Sequence, residues 1–159
     1  MALQVGQAAP GFKLFNTEKK EISLEDFKGK NLVILFFPQA FTGTCTTELC
    51  SVRDNLNIYT KLNADVIGIS VDSLFTLNAF KKEQNYNFDL LSDFNKETSK
   101  AYDSFIEEFV FGMKGVSKRA AFIVDKNSIL QYIEICEKPS DLPNFDAIKA
   151  CLEKNLTVA

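Results

Sequence analysis

The sequence predicts an α/β protein whose central mixed β-sheet is flanked by helices. Two continuous apolar runs, residues 32–37 and 66–71, are typical of strands buried on both faces. Each run is followed by a segment whose apolar residues recur every three or four positions, which predicts an amphipathic helix. Two later apolar runs, 118–125 and 129–136, are separated by a polar turn and predict an antiparallel hairpin. Strands that alternate with helices before a final hairpin predict a mixed sheet covered on both faces.

The N-terminal part of the chain is predicted to lead into this sheet. Residues 12–15 fit a short edge strand, and Ile22 fits the start of a returning strand. Ser23 predicts the N-cap of a short helix over residues 24–27, which Gly29 ends.

The middle of the chain is predicted to alternate strands and helices. Pro38 ends the first central strand, since proline cannot donate to a sheet ladder. Asp72 and Ser73 can cap the helix that follows the second central strand. The predicted elements, in order, are a strand at 31–37, a helix from Cys45 to about residue 61, a strand at 66–71, a helix at 74–84, a strand at 88–91 and a helix at 96–102.

The C-terminal part begins with residues 104–115, which are rich in aromatic side chains and contain two glycines. We predict a loop there that packs onto the core. After the hairpin come a predicted linker at 139–143 and a terminal helix that begins at Asn144. The chain shows no internal repeat and no domain boundary, so residues 1–159 are predicted to form one domain.

The composition excludes several classes of function. The chain has 159 residues, a net charge of −3 and no basic block, which argues against a nucleic-acid-binding protein. It has no histidine, which removes Cys-His proteases, Ser-His-Asp hydrolases and zinc sites that contain histidine. No apolar run approaches the roughly 20 residues of a membrane span, and no secretion signal is visible. We therefore expect a cytoplasmic protein that binds neither nucleic acid nor membranes.

The chain has four cysteines, too few and too unevenly placed for a disulfide scaffold, and without the C-x-x-C pair that favours zinc. Cys45 lies where a buried strand ends and an amphipathic helix begins. Unpaired backbone N–H groups and the helix dipole at such a place favour a thiolate. The alternative is that Cys45 is a small buried hydrophobic residue. Its position at a helix start favours the reactive thiol.

Pro38-x-x-x-Thr42-x-x-Cys45 resembles the P-x-x-x-T/S-x-x-C signature of the peroxiredoxin family, of the alkyl hydroperoxide reductase/thiol-specific antioxidant type. Arg119, at the head of a predicted strand, matches the active-site arginine of that family, and residues 5–12 resemble its opening G-x-x-A-P-x-F pattern. The resemblance implies a thioredoxin-like fold with an N-terminal strand extension. It also implies an antioxidant enzyme that reduces hydrogen peroxide and organic hydroperoxides through its thiol, with no cofactor and no metal.

The resemblance also implies roles for the predicted site residues. Cys45 would attack a peroxide oxygen and become a sulfenic acid. Arg119 would stabilise the thiolate and the charge that develops as the O–O bond breaks. Thr42 would hydrogen-bond the thiol or the peroxide, and Pro38 would shield the thiolate from water. The backbone N–H groups of Thr44 and Cys45 would bind the peroxide.

Several of these residues have simpler alternatives. Thr42 can be a plain helix N-cap, and Arg119 can be a solvated residue at a strand end. Glu48 lies one turn beyond Cys45, where it either orients Arg119 or only complements the helix dipole. Arg53 is a weaker candidate for a second cation near the site.

Cys50 is the candidate resolving cysteine, because its spacing from Cys45 resembles that of the bacterioferritin-comigratory (Q-type) peroxiredoxins. The flanking residues also resemble the alkyl hydroperoxide reductase E-like subgroup. Residues i and i+5 of a helix have Cα atoms about 8.6 Å apart, whereas a disulfide needs less than about 7 Å. A Cys45–Cys50 bond therefore predicts local unwinding, and the alternative is that Cys50 only packs against the strand layer. Cys136 and Cys151 are interpreted as structural or incidental thiols, although either could resolve or bond to another chain.

The leading hypothesis is a peroxidase that is regenerated by a thioredoxin-like or glutaredoxin-like protein or by a small thiol. The resemblance also allows a homodimer. A thioredoxin-like disulfide reductase would need C-x-x-C beside a tryptophan, and the chain has neither. A non-catalytic redox sensor or holdase-like binding protein that uses Cys45 is an alternative that the sequence leaves open.

Overall fold

The computed structural model describes residues 3–138 and 141–157. These residues form nine strands, five α-helices and two short 3₁₀ helices, at Leu24–Phe27 and Val110–Gly112. The strands are β1 (Lys13–Asn16), β2 (Glu21–Ser23), β3 (Asn31–Phe36), β4 (Ala64–Ser70), β5 (Asp89–Ser92), β6 (Phe105–Glu108), β7 (Lys114–Ser117), β8 (Ala120–Val124) and β9 (Leu130–Ile135). The helices are α1 (Gly43–Asp54), α2 (Leu56–Lys61), α3 (Leu74–Gln84), α4 (Glu97–Ala101) and α5 (Phe145–Thr157).

Seven strands form one mixed sheet in the order β2-β1-β5-β4-β3-β8-β9. Strands β3, β4 and β5 are parallel, and the pairs at both ends of the sheet are antiparallel. Helices and loops cover both faces, so the predicted fold class is confirmed. The prediction that residues 12–15 form an edge strand is wrong, because β1 pairs with β5 as well as β2, and β2 is the edge. The sequence of β1 is short and half-exposed, and it contains no pattern that predicts pairing with β5.

Strand β3 lies at the centre of the sheet, and every one of its residues is buried. Alternate side chains enter two cores, with Val33 and Leu35 packing on one face and Ile34 and Phe36 on the other. The first of these cores also contains Cys45 and the inward residues of α1. Burial on both faces explains why β3 is a continuous apolar run without alternation.

The predicted helix from Cys45 to residue 61 is interrupted. α1 ends at Asp54 and α2 begins at Leu56, so a single helix was the wrong prediction. Between them, Asn55 leaves the helical conformation (φ −117°, ψ 18°), and its N–H donates to Val52 O. Its side-chain amide donates to the carbonyl of Ser51, 2.8 Å away. Asparagine competes for backbone groups in this way, which explains the break.

Residues 104–115 contain strands, and the predicted loop is therefore wrong. β6 and β7 pair as an antiparallel hairpin outside the main sheet, with Ile106 opposite Val116. Phe111 (φ 58°) and Gly112 (φ 74°) turn the chain between them in the left-handed region. The strands have four residues each, too short for a convincing alternating pattern in the sequence.

The C-terminal helix begins where it was predicted. The side chain of Asn144 accepts a hydrogen bond from the N–H of Ala147, 3.0 Å away, and so caps α5. The predicted linker at 139–143 lies partly outside the described residues. None of the described helices combines the length and the apolar character that crossing a membrane requires.

Gly68 on β4 lies where the surrounding side chains leave no room for a larger residue. A methyl group added at this glycine would lie 2.8 Å from Leu90 Cδ2, 3.2 Å from Phe37 Cε1 and 3.7 Å from Leu49 Cδ2. We therefore expect Gly68→Ala to lower the free energy of unfolding by about 1–3 kcal/mol, as overpacking does. Urea denaturation measures the change. Gly11→Ala is the control, since nothing lies within 4 Å of its added methyl group, and equal midpoints for the two variants would contradict this account.

Candidate active site

Cys45 is the third residue of α1 and is fully buried. Thr42 occupies the N-cap position in an extended conformation (φ −87°, ψ 151°). The N–H of Thr46 donates to the carbonyl of Thr42 at 2.9 Å, so the amides of residues 43–45 precede this hydrogen bond. The predicted place of Cys45, after a buried strand and at the start of a helix, is confirmed. Backbone N–H groups and the helix dipole favour an anion there.

Arg119 reaches the cysteine from a segment 74 residues later in the chain. Its Nη2 donates to Cys45 Sγ at 3.1 Å, and its Nη1 donates to Glu48 Oε1 at 2.8 Å. Arg119 directly precedes β8, whose Ala120 pairs with Phe36 at the carboxyl end of β3. Strand pairing therefore brings the guanidinium to the N-terminus of α1. The alternative of a solvated arginine is wrong, since Arg119 is only 2% exposed.

The pKa of Glu48 and the pKa of Arg119 are both raised, for different reasons. Burial raises the pKa of Glu48 from 4.5 to about 7, although the charge and hydrogen bond of Arg119 oppose the rise and Glu134 adds to it. Burial alone would lower the pKa of Arg119, but the charges of Glu48 and Cys45 outweigh it and raise that pKa. Arg119 therefore stays a cation, and Glu48 can change protonation near neutral pH.

Thr42 lines the cleft beside the start of α1 but makes no hydrogen bond to the sulfur among those we observe. The Thr42 hydroxyl donates to the carbonyl of Gln39 at 2.9 Å, and it does not form a side-chain N-cap bond. Thr42 is therefore the N-cap residue of α1 by its backbone position, but its side chain does not cap the helix. Pro38 is buried, with Phe37 between it and the last residue of β3, and its role in shielding the sulfur stays a prediction.

An aspartate that the sequence analysis did not place in the site anchors the loop before Cys45. Asp72 accepts hydrogen bonds from the N–H of Ala40 and from the hydroxyl of Ser70, both at 2.7 Å. Phe41 in this loop has a φ of 67° and packs on Phe80, with ring centroids 4.9 Å apart. Asp72 follows the carboxyl end of β4, the parallel neighbour of β3. Residues at the carboxyl ends of neighbouring parallel strands lie at the same edge of the sheet, so this position could have indicated that Asp72 lies near the site.

A cleft of about 300 Å³ opens beside the start of α1. Arg119 and the first turn of α1 line one side of it, and the connection between β6 and β7 supplies an apolar wall. Gln39 joins this wall to the loop, because its side-chain amide donates to the sulfur of Met113 at 3.5 Å. The sequence analysis missed the wall since it took this segment for a loop. The residues that line the cleft are Thr42, Gly43, Thr44, Phe109, Val110, Phe111, Met113 and Arg119.

Cys50 lies on α1 and faces the turn between α3 and β5. Its Sγ is 3.5 Å from Gln84 Oε1 and 3.7 Å from the hydroxyl of Tyr86. That hydroxyl also donates to the carbonyl of Thr46 at 3.5 Å. Arg53 bonds to Gln84 and to the neighbouring Asp54, which places it beside Cys50 and not at the Cys45–Arg119 pair as the sequence analysis suggested.

No disulfide joins any of the four cysteines, all of which lie within residues 3–138 and 141–157. Cys136 follows β9 and lies opposite Arg119, to whose carbonyl its N–H donates at 2.8 Å. Burial and the charge of Glu134 raise the pKa of Cys136 to about 11. Cys151, on α5, donates to the carbonyl of Gln131 at 3.6 Å. Among the described residues, no group of three or more potential metal ligands comes together.

The site consists of a buried cysteine at a helix N-terminus and an arginine that donates a hydrogen bond to its sulfur. In a sheet of this topology, such a site is typical of thiol proteins with the thioredoxin-like fold. The AhpC/TSA family model matches residues 5–133. The chain therefore belongs to this family, the peroxiredoxins.

Named relatives agree with this assignment. The mitochondrial thioredoxin-dependent peroxide reductase of Rattus norvegicus is 37% identical over 145 residues, covering 85% of this chain and 54% of the relative. The putative peroxiredoxin bcp of Coxiella burnetii is 35% identical over 135 residues, covering 84% and 89%. The crystal structure of peroxidoxin BcpB from Mycobacterium tuberculosis superimposes with a TM-score of 0.85 at 23% identity, covering 96% and 97%, and shows the fold alone. The chain thus spans about half of the rat relative and most of the Coxiella relative.

Proposed function

We propose that this protein is a thiol-dependent peroxidase whose nucleophile is Cys45. The observation that carries the proposal is the contact of 3.1 Å between Arg119 Nη2 and Cys45 Sγ at the N-terminus of α1. A cation and a helix dipole that meet at one sulfur stabilise its thiolate, which is the nucleophilic form. The same guanidinium then lies next to the oxygen that gains charge as the peroxide bond breaks.

The chemistry is an in-line attack of sulfur on one peroxide oxygen. A sulfur–oxygen bond forms, the O–O bond breaks, and water or an alcohol leaves after taking up a proton. The amides of Thr44 and Cys45 bind the peroxide, and Pro38 keeps solvent away from the sulfur. Thr42 first releases Gln39, to which its hydroxyl now donates, before it donates to the substrate.

The cleft supports hydrogen peroxide and small organic hydroperoxides as substrates. Its polar end holds Arg119 and the start of α1, where the peroxide group would lie. Its apolar end is formed by Phe109, Val110, Phe111 and Met113, which suit the hydrocarbon part of an organic hydroperoxide.

We propose that Cys50 resolves the sulfenic acid. Its Sγ is half-buried, and in the reduced protein Gln84 and Tyr86 hold it against the turn between α3 and β5. Attack on Cys45 therefore requires that the first turns of α1 unwind and that these contacts break. A thioredoxin-like protein, a glutaredoxin-like protein or a small thiol then reduces the disulfide. Cytoplasmic location and homodimer formation stay predictions.

The proposed peroxidase is tested with a variant in which Cys50, Cys136 and Cys151 are all serine. One equivalent of peroxide should be consumed rapidly, with loss of the single remaining thiol and trapping of one sulfenic acid by dimedone. Slow consumption, no faster than that of a free thiol in solution, would instead favour a redox sensor that is not a peroxidase. The unmodified chain and Cys136→Ser are the controls for intact folding.

Cys50 is tested separately, by mass spectrometry of the unmodified chain after one equivalent of peroxide. We expect a peptide pair linked through Cys45 and Cys50, and its formation should be faster in Tyr86→Phe, which lacks the hydroxyl that contacts Thr46 and Cys50. In Cys50→Ser the sulfenic acid should persist. A disulfide from Cys45 to Cys136 or Cys151 in the unmodified chain would show that Cys50 is not the resolving residue.

A further inference from the structure

The Arg119 guanidinium donates hydrogen bonds to two acidic side chains in the buried site. Arg119 contacts Cys45 Sγ at 3.1 Å and Glu48 Oε1 at 2.8 Å, and Cys45 and Glu48 are both 0% exposed. If both acids were ionised, the site would hold two buried negative charges against this one positive charge. Removal of an extra charge from water is costly, and neutralisation by a proton relieves that cost.

The second oxygen of Glu48 indicates which acid carries that proton. Among the residues that the structure describes, Glu48 Oε2 is the one buried side-chain oxygen or nitrogen without a hydrogen-bond partner. A carboxylate is stable in a protein interior when both oxygens accept hydrogen bonds, and this one lacks a partner on one side. Cys45, by contrast, receives a hydrogen bond from Arg119 and lies at a helix N-terminus.

Burial and the negative charge near Glu48 outweigh the opposing effect of Arg119. Arg119, which directly precedes β8, contacts Glu48, and Cys45 lies one turn earlier on α1. Glu134 on β9 and Cys136, which directly follows β9, are the other nearby groups. Burial, with a further contribution from Glu134, raises the pKa of Glu48 to about 7 against the opposing effect of Arg119.

We propose that Glu48 holds a proton in the reduced protein and gives it up when Cys45 is oxidised, so that Arg119 faces one negative charge before and after the reaction. This proposal rests on the proposed peroxidase function. Glu48 would then be a positioning residue that also stores the proton needed to balance the reaction.

The step balances without a proton from the solution. The Cys45 thiolate bonds to one peroxide oxygen and loses two electrons, the O–O bond breaks, and the leaving oxygen keeps the electron pair. The sulfur becomes neutral sulfenic acid, and the leaving oxygen gains the equivalent of the proton that Glu48 loses. Without an acidic group at position 48, one proton from the solution must balance each turnover.

Proton counting tests this balance in the variant that retains only Cys45, using one equivalent of peroxide and a pH indicator. One pH unit below the Glu48 pKa of about 7, we expect almost no proton uptake with Glu48 present and nearly one proton per sulfenic acid in Glu48→Gln. Above that pKa, the Glu48 protein should also take up nearly one proton, because its carboxyl is already ionised. Glu83→Gln, at an exposed position of α3, should behave as the parent.

Infrared difference spectroscopy locates the proton, since counting alone does not distinguish sulfur from carboxyl. The reduced-minus-oxidised spectrum of the unmodified chain should show a protonated carboxyl band that is lost on oxidation and is missing in Glu48→Gln. Absence of this band in the unmodified chain, or its persistence in Glu48→Gln, would overturn the proposal. So would equal proton uptake by both proteins below the Glu48 pKa. Peroxide consumption is recorded in the same samples, so failure of the peroxidase itself is seen separately.

Discussion

Cys45→Ser should lose all peroxide consumption above that of buffer. Serine retains the size of the buried side chain, but its hydroxyl does not ionise at neutral pH and cannot form the sulfur–oxygen bond of a sulfenic acid. Because the replacement is nearly isosteric and serine can still accept the hydrogen bond from Arg119, the variant should remain folded. Peroxide disappearance and circular dichroism, measured on the same samples, check both expectations.

Cys136→Ser is the matched control for this prediction. It removes a thiol that lies opposite Arg119 across the strand pair, yet it leaves the Cys45–Arg119 contact in place. Activity equal to that of the unmodified chain is expected. If Cys45→Ser retained full activity while Cys136→Ser lost it, Cys136 and not Cys45 would be the nucleophile.

Arg119→Met should slow the attack of Cys45 on peroxide by about 10²–10³-fold, the usual cost of one donor that stabilises developing charge. Methionine fills a similar volume but supplies neither the hydrogen bond to Sγ nor the positive charge. Alkylation of Cys45 should slow as well. Rapid mixing with peroxide and the rate of alkylation by iodoacetamide measure the two effects independently.

The fold should survive this change because Glu48 can take up a proton when its partner is removed. Burial already raises the pKa of that carboxyl to about 7, and the loss of Arg119 would raise it further. Lys126→Met, at an exposed turn beyond the far end of β8, controls for the loss of a positive charge elsewhere. If both variants reacted with peroxide at the same rate, Arg119 would have no role at the reacting sulfur.

The sequence predicted best what local patterns determine. The apolar run of β3, the proline after it and the helix beginning near Cys45 follow from hydrophobic periodicity and from proline chemistry within twenty residues. Arg119 lies 74 residues away from Cys45, and no periodicity links them. Its contact with the sulfur was expected only through the resemblance to a family, and it depends on the pairing of β3 with β8.

The features that the sequence analysis missed depend on tertiary contacts. Asp72 became part of the site because β4 ends beside β3, which places its carboxylate under the N–H of Ala40. The wall of the cleft depends on the turn at Phe111 and Gly112, where the backbone adopts positive φ without an obvious sequence signal at the phenylalanine. The hydrogen bond from the Thr42 hydroxyl to the carbonyl of Gln39 could not be predicted from the sequence either, because a hydroxyl rotates toward whichever acceptor the fold places near it.

The protonation of Cys136 has a practical consequence for chemical labelling. Since its pKa is raised to about 11, almost none of it is thiolate at neutral pH, and electrophilic reagents react with the thiolate. A maleimide or iodoacetyl fluorophore added at neutral pH should therefore spare this position, whereas alkaline buffer should let the dye attach beside the guanidinium. Neutral labelling pH should thus keep such a reagent off the thiol beside Arg119.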